Sequence, residues 1–334
     1  MFHPRLNGSH YEIGYKMGSF LKKKAIDFDA IIHLDAFQQE FGSQSQEMLK
    51  EFFPEVCDEI RGLTEALGYS YEKLTSWLLC MGCCYDPKGC TTFCFMHDQQ
   101  VYYGRNNDLP PFLKKNSQSV FYRLDNGTAF LGNTSSMIHL EEGINAHGLV
   151  VAMEFIMPTL IKPGINSVFI VRYLLEKCKT VAEAVVALQK LPIASACNII
   201  LVDVTGAMVV AECDPNRMIM RTPAVGEDFL VSTNHFVSDE MRALNSNQIY
   251  SSEQRYQSVS HALQDITYTQ AVEHAQAILR GEHGFVCQYD PSLNFETIWS
   301  SVFDLSSMKV YRAEGDPSRV AFKEDRRAAQ LFET

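Results

Sequence analysis

Nowhere in the 334 residues is there an uncharged run long enough to span a bilayer, and the opening MFHPRLNGSHYEIG holds no apolar core of signal-peptide length. These two absences argue against a membrane partner and against secretion, so a cytoplasmic protein is expected. Positive charge is scarce as well. The 29 Lys and Arg stand against 40 Asp and Glu, a net charge of -11, which argues against a polyanion such as nucleic acid as the partner. The one conspicuous basic run, Lys22-Lys23-Lys24, reads as the solvated face of a helix. No internal repeat and no low-complexity linker occurs, so one globular unit is expected.

Cysteine, by contrast, is plentiful. Ten cysteines in a chain without a secretion signal are expected to be reduced, with small buried hydrophobe as their default role. The 46% hydrophobic content can fill a substantial core around them.

Two textures follow one another along the chain. From Ser9 to about Leu79 the pattern is helical: SHYEIGYKMGSFLKKKAIDFDAIIHL opens on Ser9 as an N-cap, and QEMLKEFFPEVCDEIRGLTEALG repeats apolar residues at three- and four-residue spacing. After Pro87 short alternating runs take over. CTTFCFMHDQQVYYGRN reads as two strands joined at His97-Asp98-Gln99, and SVFYRLDNGTAFLG as a hairpin turning at Asp125-Asn126-Gly127. Further strand pairs fall in MIHLEEGINAHGLVVAMEF, CNIILVDVTGAMVVAECD and TIWSSVFDLSSMKVYRAEG, with one more strand in FLVSTNHF and helices in blocks between them. Strands in hairpins with grouped helices predict an α+β layered sandwich with antiparallel sheets, and not a doubly wound parallel sheet.

Five cysteines, Cys80, Cys83, Cys84, Cys90 and Cys94, crowd the change of texture. Cys80-x-x-Cys83 has metal-ligand spacing, but Cys90-x-x-x-Cys94 lies on a strand-like segment and no second pair matches it, so burial is favoured and no metal site is expected. A sharper reading starts from Gly89-Cys90. A cysteine whose own peptide nitrogen becomes a free amine holds nucleophile and base in one residue, because an α-amine titrates near pH 8 where a lysine does not. To free it, the Cys90 thiol attacks the Gly89 carbonyl, the acyl group shifts to sulfur, and water hydrolyses the thioester. Gly89 suits that step, having no side chain to block attack. GRNND on the next strand brings Arg105 and Asp108 across from Cys90, where a carboxylate orients a terminal ammonium and a cation favours thiolate. Asn234 ends an apolar strand and is suited to donate to an oxyanion, and Arg255 begins a helix from which it can reach a carboxylate or a substrate.

Taken together, Gly89-Cys90-Thr91-Thr92, Gly104-Arg105-Asn106-x-Asp108, Asn234, Ser252-x-x-Arg255 and the opening GSHYEIGYKMGS resemble N-terminal-nucleophile hydrolases related to acyl-coenzyme A:6-aminopenicillanate acyltransferase and, more distantly, choloylglycine hydrolases and penicillin V acylases. The resemblance implies a four-layer αββα sandwich. It implies cleavage between Gly89 and Cys90, with residues 1–89 staying bound as an α chain to residues 90–334 as a β chain. Cys90 is then nucleophile and base, Arg105 and Asp108 hold the new terminus, Asn234 lines the oxyanion hole, Arg255 steadies the site and Thr92 assists scission. The substrate implied is a small-molecule linear amide, with no cofactor, and a homo-oligomer is compatible with it. One departure stands out. Where the choloylglycine branch has a second asparagine, this chain reads Met153-Glu154-Phe155, and an ionised glutamate accepts hydrogen bonds without donating any. Either a backbone N–H is the second oxyanion donor or Glu154 has a different role, and Glu154, Phe155 and His235 are taken as candidate substrate contacts, Glu154 for a cationic group. Three alternatives stay open: an acyl-coenzyme A-dependent transferase on the same site, a thiol-metal or redox protein, and an uncut binding module.

Overall fold

The computed structural model describes residues 1–84, 89–246, 250–264 and 270–331. The first element is a strand, β1 (Arg5–Gly8), and four helices follow it. Ser9 opens α1 (His10–Lys23) in a reciprocal capping box with Glu12, and Asp35 opens α2 (Ala36–Phe52) in the same way with Gln38. α3 (Pro54–Leu67) starts on proline and stops at Gly68, whose φ of 73° only glycine adopts easily, and Ser70 caps α4 (Tyr71–Cys80). Six strands come next: β2 (Gly89–His97), β3 (Gln100–Leu109), β4 (Gln118–Leu124), β5 (Phe130–Thr134), β6 (Glu142–Asn145) and β7 (Val150–Phe155). Asn166 and Thr180 cap α5 (Ser167–Lys177) and α6 (Val181–Leu188). Then come β8 (Cys197–Val202), β9 (Met208–Asp214), β10 (Arg217–Arg221), β11 (Phe229–Ser232), α7 (Asp239–Arg242), α8 (Ser252–Gln264) and α9 (Ala271–Leu279). The last strands are β12 (Glu296–Asp304), β13 (Lys309–Ala313) and β14 (Lys323–Glu324).

The strands form an eight-stranded sheet, β1-β4-β5-β6-β7-β8-β9-β10, and a six-stranded sheet, β11-β2-β3-β12-β13-β14. Every pairing between named strands is antiparallel except β1 with β4. Tyr103, Phe121, Ile144, Val150, Ile200 and Phe303 pack between the sheets. Helices α1 to α6 cover the outer face of the larger sheet, and α8 and α9 cover that of the smaller. The result is the four-layer αββα sandwich. Glu142 ties the layers together: its buried carboxylate accepts from Tyr103 (2.9 Å), Trp299 (2.8 Å) and Ser301 (2.9 Å), all on the facing sheet. A carboxylate with that many donors meets the requirement that buried polar groups be hydrogen-bonded.

Residues 1–89 are not purely helical as expected, because β1 joins the edge of the larger sheet alongside β4. Four residues are too few to show a period, and it is pairing with a distant segment that makes them a strand. β10 and β14 escaped the sequence reading for the same reason. The N-terminal helices are fastened by ions as well as by apolar packing. Arg172 of α5, fully buried, donates to Glu59 of α3 at 2.6 Å and pairs with Glu176, which meets His10 of α1 at 2.9 Å. The guanidinium lies 4.1 Å from the centroid of the Tyr122 ring.

Candidate active site

Asp98 and Gln99 connect β2 and β3, with φ values of 50° and 62°; two consecutive left-handed residues make the tight hairpin turn that matches strand twist. The turn is thus one residue shorter than the His97-Asp98-Gln99 of the sequence reading, and this matters because a one-residue change of register exchanges the faces. The register pairs Gly89 with Asp108, Cys90 with Asn107, Thr91 with Asn106 and Thr92 with Arg105. Asn107, not Arg105 or Asp108, stands directly across from Cys90. Arg105 shares the face of Cys90 two residues along, and Asp108 lies on the other face, across from Gly89.

On the inner face, towards the eight-stranded sheet, Arg105 is the organising charge. Its Nη2 donates to Cys90 Sγ at 3.0 Å and to Asn107 Oδ1 at 2.9 Å. Its Nη1 reaches the Met153 carbonyl at 2.7 Å, Thr92 Oγ1 at 3.3 Å and Glu154 Oε1 at 3.5 Å. The thiol in turn points at Asn107 Oδ1, 3.4 Å away. Burial pushes the Cys90 thiol up to about 12, against the pull of Arg105, so it is protonated at neutral pH in this continuous chain. Burial also works against the charge on Arg105, yet Cys90, Tyr103, Glu142 and Glu154 together hold its pKa above the ordinary value. Burial raises Glu154 despite Arg105 and a 2.6 Å hydrogen bond from Ser232. The cation that Glu154 meets here is the protein's own.

The other face looks towards α8 and α9. Asp108 accepts from Thr297 at 2.6 Å and Tyr289 at 2.7 Å and lies 4.0 Å from Arg255; burial nonetheless raises its pKa. Arg255, buried in the first turn of α8, donates to the Cys90 carbonyl, to Thr91 Oγ1 at 2.9 Å and to Asn234 Oδ1 at 2.9 Å. The peptide N–H of Cys90 donates to the same Asn234 oxygen at 2.8 Å. Both main-chain groups of Cys90 thus turn away from β3, which makes Cys90 and Asn107 the closer, non-hydrogen-bonded kind of cross-strand pair. Gly89 is needed as glycine for space: a Cβ there would come within 2.7 Å of the Phe295 ring and 3.1 Å of the Asp108 Cβ.

Asn234, expected to donate to an oxyanion, here sends its Nδ2 to the Phe155 carbonyl at 2.8 Å. Phe155 contributes that carbonyl, while its ring packs into the core beneath the helices. His235 stands behind Asn234, its Nδ1 2.7 Å from Ser252 Oγ and 3.1 Å from Thr233 Oγ1, tying the start of α8 to the end of β11. Burial, with Glu253 and Glu212 opposing it and Arg255 and Arg221 adding to it, lowers its pKa from 6.5 to about 4. An imidazole lowered on folding contributes stability that is complete above 6.5 and is lost as pH falls towards about 4, on the order of 3 kcal/mol in all. His235→Gln is expected to lose less Tm than the wild type between about pH 7 and about pH 5, which thermal melts of both proteins would measure.

The five cysteines do not converge. Cys80 and Cys83 sit in the core between the helices and the larger sheet, with Cys84 packed against it, whereas Cys94 lies between the sheets. Among the described residues no group of three or more His, Cys, Asp or Glu is placed to hold a metal ion. Sequence reasoning missed Asn107, Ser232, Thr297 and Tyr289. Asn107 alone had a signal, since counting back from a two-residue turn pairs it with Cys90.

Residues 95–319, about two thirds of the chain, match the profile of the family described as acyl-coenzyme A:6-aminopenicillanic acid acyl-transferase, a match that begins beyond Cys90. No curated protein matched. Among solved structures, a variant of conjugated bile acid hydrolase from Clostridium perfringens superposes with a TM-score of 0.57 at 14% identity, covering 73% of this chain and 95% of its own. A second variant of that protein gives 0.51 at 15% identity, with 71% and 96% covered. An N-acylethanolamine-hydrolyzing acid amidase ortholog from Caenorhabditis elegans gives 0.49 at 20% identity, with 65% and 93% covered.

Proposed function

The chain belongs to the acyl-coenzyme A:6-aminopenicillanic acid acyl-transferase family, and from that premise we propose that it hydrolyses the carbon–nitrogen bond of linear amides through a thioester on Cys90, after cutting itself between Gly89 and Cys90. The observation that carries this reading is the convergence of Asn234 and Arg255 on the Cys90 peptide group from more than a hundred residues away, with Arg105 on its thiol. Neither a strand start nor a buried structural thiol calls for such an arrangement.

In the self-cutting step Sγ bonds to the Gly89 carbonyl carbon, the C–N bond breaks, and the thiol proton ends on the departing nitrogen. Water then hydrolyses the thioester, leaving Gly89 as a carboxylate and Cys90 with a free amine. In turnover that amine takes the thiol proton, Sγ attacks the substrate carbonyl, and the amine product leaves with the proton. Water releases the acid. Arg105 favours thiolate once the site opens to substrate, and Arg255 holds the Cys90 carbonyl in place. Asp108, on the Gly89 side, faces the cut and offers a carboxylate to the new terminus. Residues 1–89 stay bound to residues 90–334 through the Glu59, Arg172, Glu176 and His10 network.

Transfer to an amine acceptor in place of water is the second reading, favoured by the family's own description. An acyl p-nitroanilide given to the purified protein separates the two. The expected result is nitroaniline release, an acyl adduct on Cys90 after acid quench, and free acid as the main product even with added amine. Mostly transacylated product would replace hydrolase by transferase, and no adduct on Cys90 would end both readings.

A further inference from the structure

We infer that Asn107 is a further catalytic residue, the donor that completes the oxyanion hole where Glu154 has none to give; the inference rests on the proposed thioester at Cys90. Three observations carry it. Asn107 stands directly across from Cys90 on the same face and is fully buried. Its carboxamide orientation is fixed by chemistry, because the atom 2.9 Å from Arg105 Nη2 must be the acceptor, guanidinium having only donors to offer. Its Nδ2 therefore points away from Arg105. Among the described residues that Nδ2 has no hydrogen-bond partner, and neither has Arg105 Nε. Leaving a buried N–H unsatisfied costs about 1–3 kcal/mol, so the group calls for an acceptor, whether an ordered water, an ion or a bound substrate.

The acceptor that satisfies it is the substrate carbonyl oxygen. As Sγ bonds to the carbonyl carbon, the π pair moves onto oxygen, one carboxamide's width from Asn107 Oδ1, and the Nδ2–H donates to the resulting oxyanion. When the intermediate collapses, the pair returns to carbon, the bond to the leaving group breaks, and the donor is released. Asn107 Oδ1 meanwhile keeps both the thiol and Arg105 in place.

The test compares two reactions at one sulfur. Acylation of Cys90 by p-nitrophenyl acetate passes through an oxyanion, with the thiol proton going to the α-amine and nitrophenolate leaving; alkylation by iodoacetamide displaces iodide and forms no oxyanion. Asn107→Leu, close to isosteric, removes the Oδ1 that holds the thiol and Arg105 as well as the Nδ2 donor; alkylation reads the first loss, and acylation is expected to slow about 10²–10³-fold beyond it. Asn107→Ser, which keeps a donor, is expected to recover part of the loss. If both reactions slow equally, or neither does, the inference is overturned while the Cys90 reading stands. A wild type that is alkylated at Cys90 but never acylated would overturn both. Should the leucine variant not fold, Asn107→Ser against Asn107→Ala decides by the same two rates.

Discussion

Cys90→Ala is expected to purify as one chain of 334 residues where the wild type gives two, one ending at Gly89 and one beginning at Cys90. Intact mass under denaturing conditions reads the difference directly. The loss should be complete, because the cutting step begins with the bond from the Cys90 sulfur to the Gly89 carbonyl carbon and alanine offers no nucleophile there. The fold should survive. Alanine removes one buried sulfur, a small-cavity change of the kind that costs roughly 1–2 kcal/mol, and leaves the peptide contacts to Asn234 and Arg255 intact. An alanine variant that is still cut after Gly89 would point to an external protease and remove the self-cutting step.

Arg105→Met should separate stability from chemistry. With the guanidinium gone, Glu154 keeps its burial and its hydrogen bond from Ser232 but loses its cation, and an uncompensated buried charge costs about 3–5 kcal/mol. The pH dependence follows from sign. Burial already raises Glu154, and losing Arg105 raises it further, so the folded form holds the proton more tightly than the unfolded one. Stability is then complete below the ordinary carboxylate range and falls as pH rises through the raised value. Arg105→Met should therefore unfold at lower denaturant near neutrality than in mild acid. The double variant Arg105→Met/Glu154→Gln should regain much of the stability and none of the Cys90 acylation. Regained acylation would mean that Arg105 serves the fold alone.

Which parts of this could be seen in the sequence depends on how local each feature is. α1, with Ser9 and Glu12 three residues apart, and α8, from Ser252 to Gln264, were legible because capping and helical period are written within a few residues. The layered sandwich followed from the order of hairpins and helix blocks. The residues that the fold brings together around Cys90 were legible as a set but not as a geometry. Whether Asp108 shares a face with Cys90 turns on one residue of the Asp98-Gln99 turn, and a β-strand has no feature of its own that records register. For the same reason Asn107 went unread although it lies between two residues that were named. The meeting of Asn234 with Cys90, 144 positions apart, is set by how β11 lies on β2 and by nothing near either residue.

β1 lies beside β4 in the larger sheet, and Arg172 bridges α5 to α3, so the two pieces of a chain cut at Gly89 are interleaved through a shared sheet edge and a shared buried ion. Before the cut, folding is a first-order event within one molecule. After it, unfolding would release two separate chains, and recovery would require a second-order encounter that dilution slows without limit. A protein cut in this way would persist because its pieces separate slowly, and its working life would be a rate set by the barrier to unfolding and not an equilibrium to which it returns.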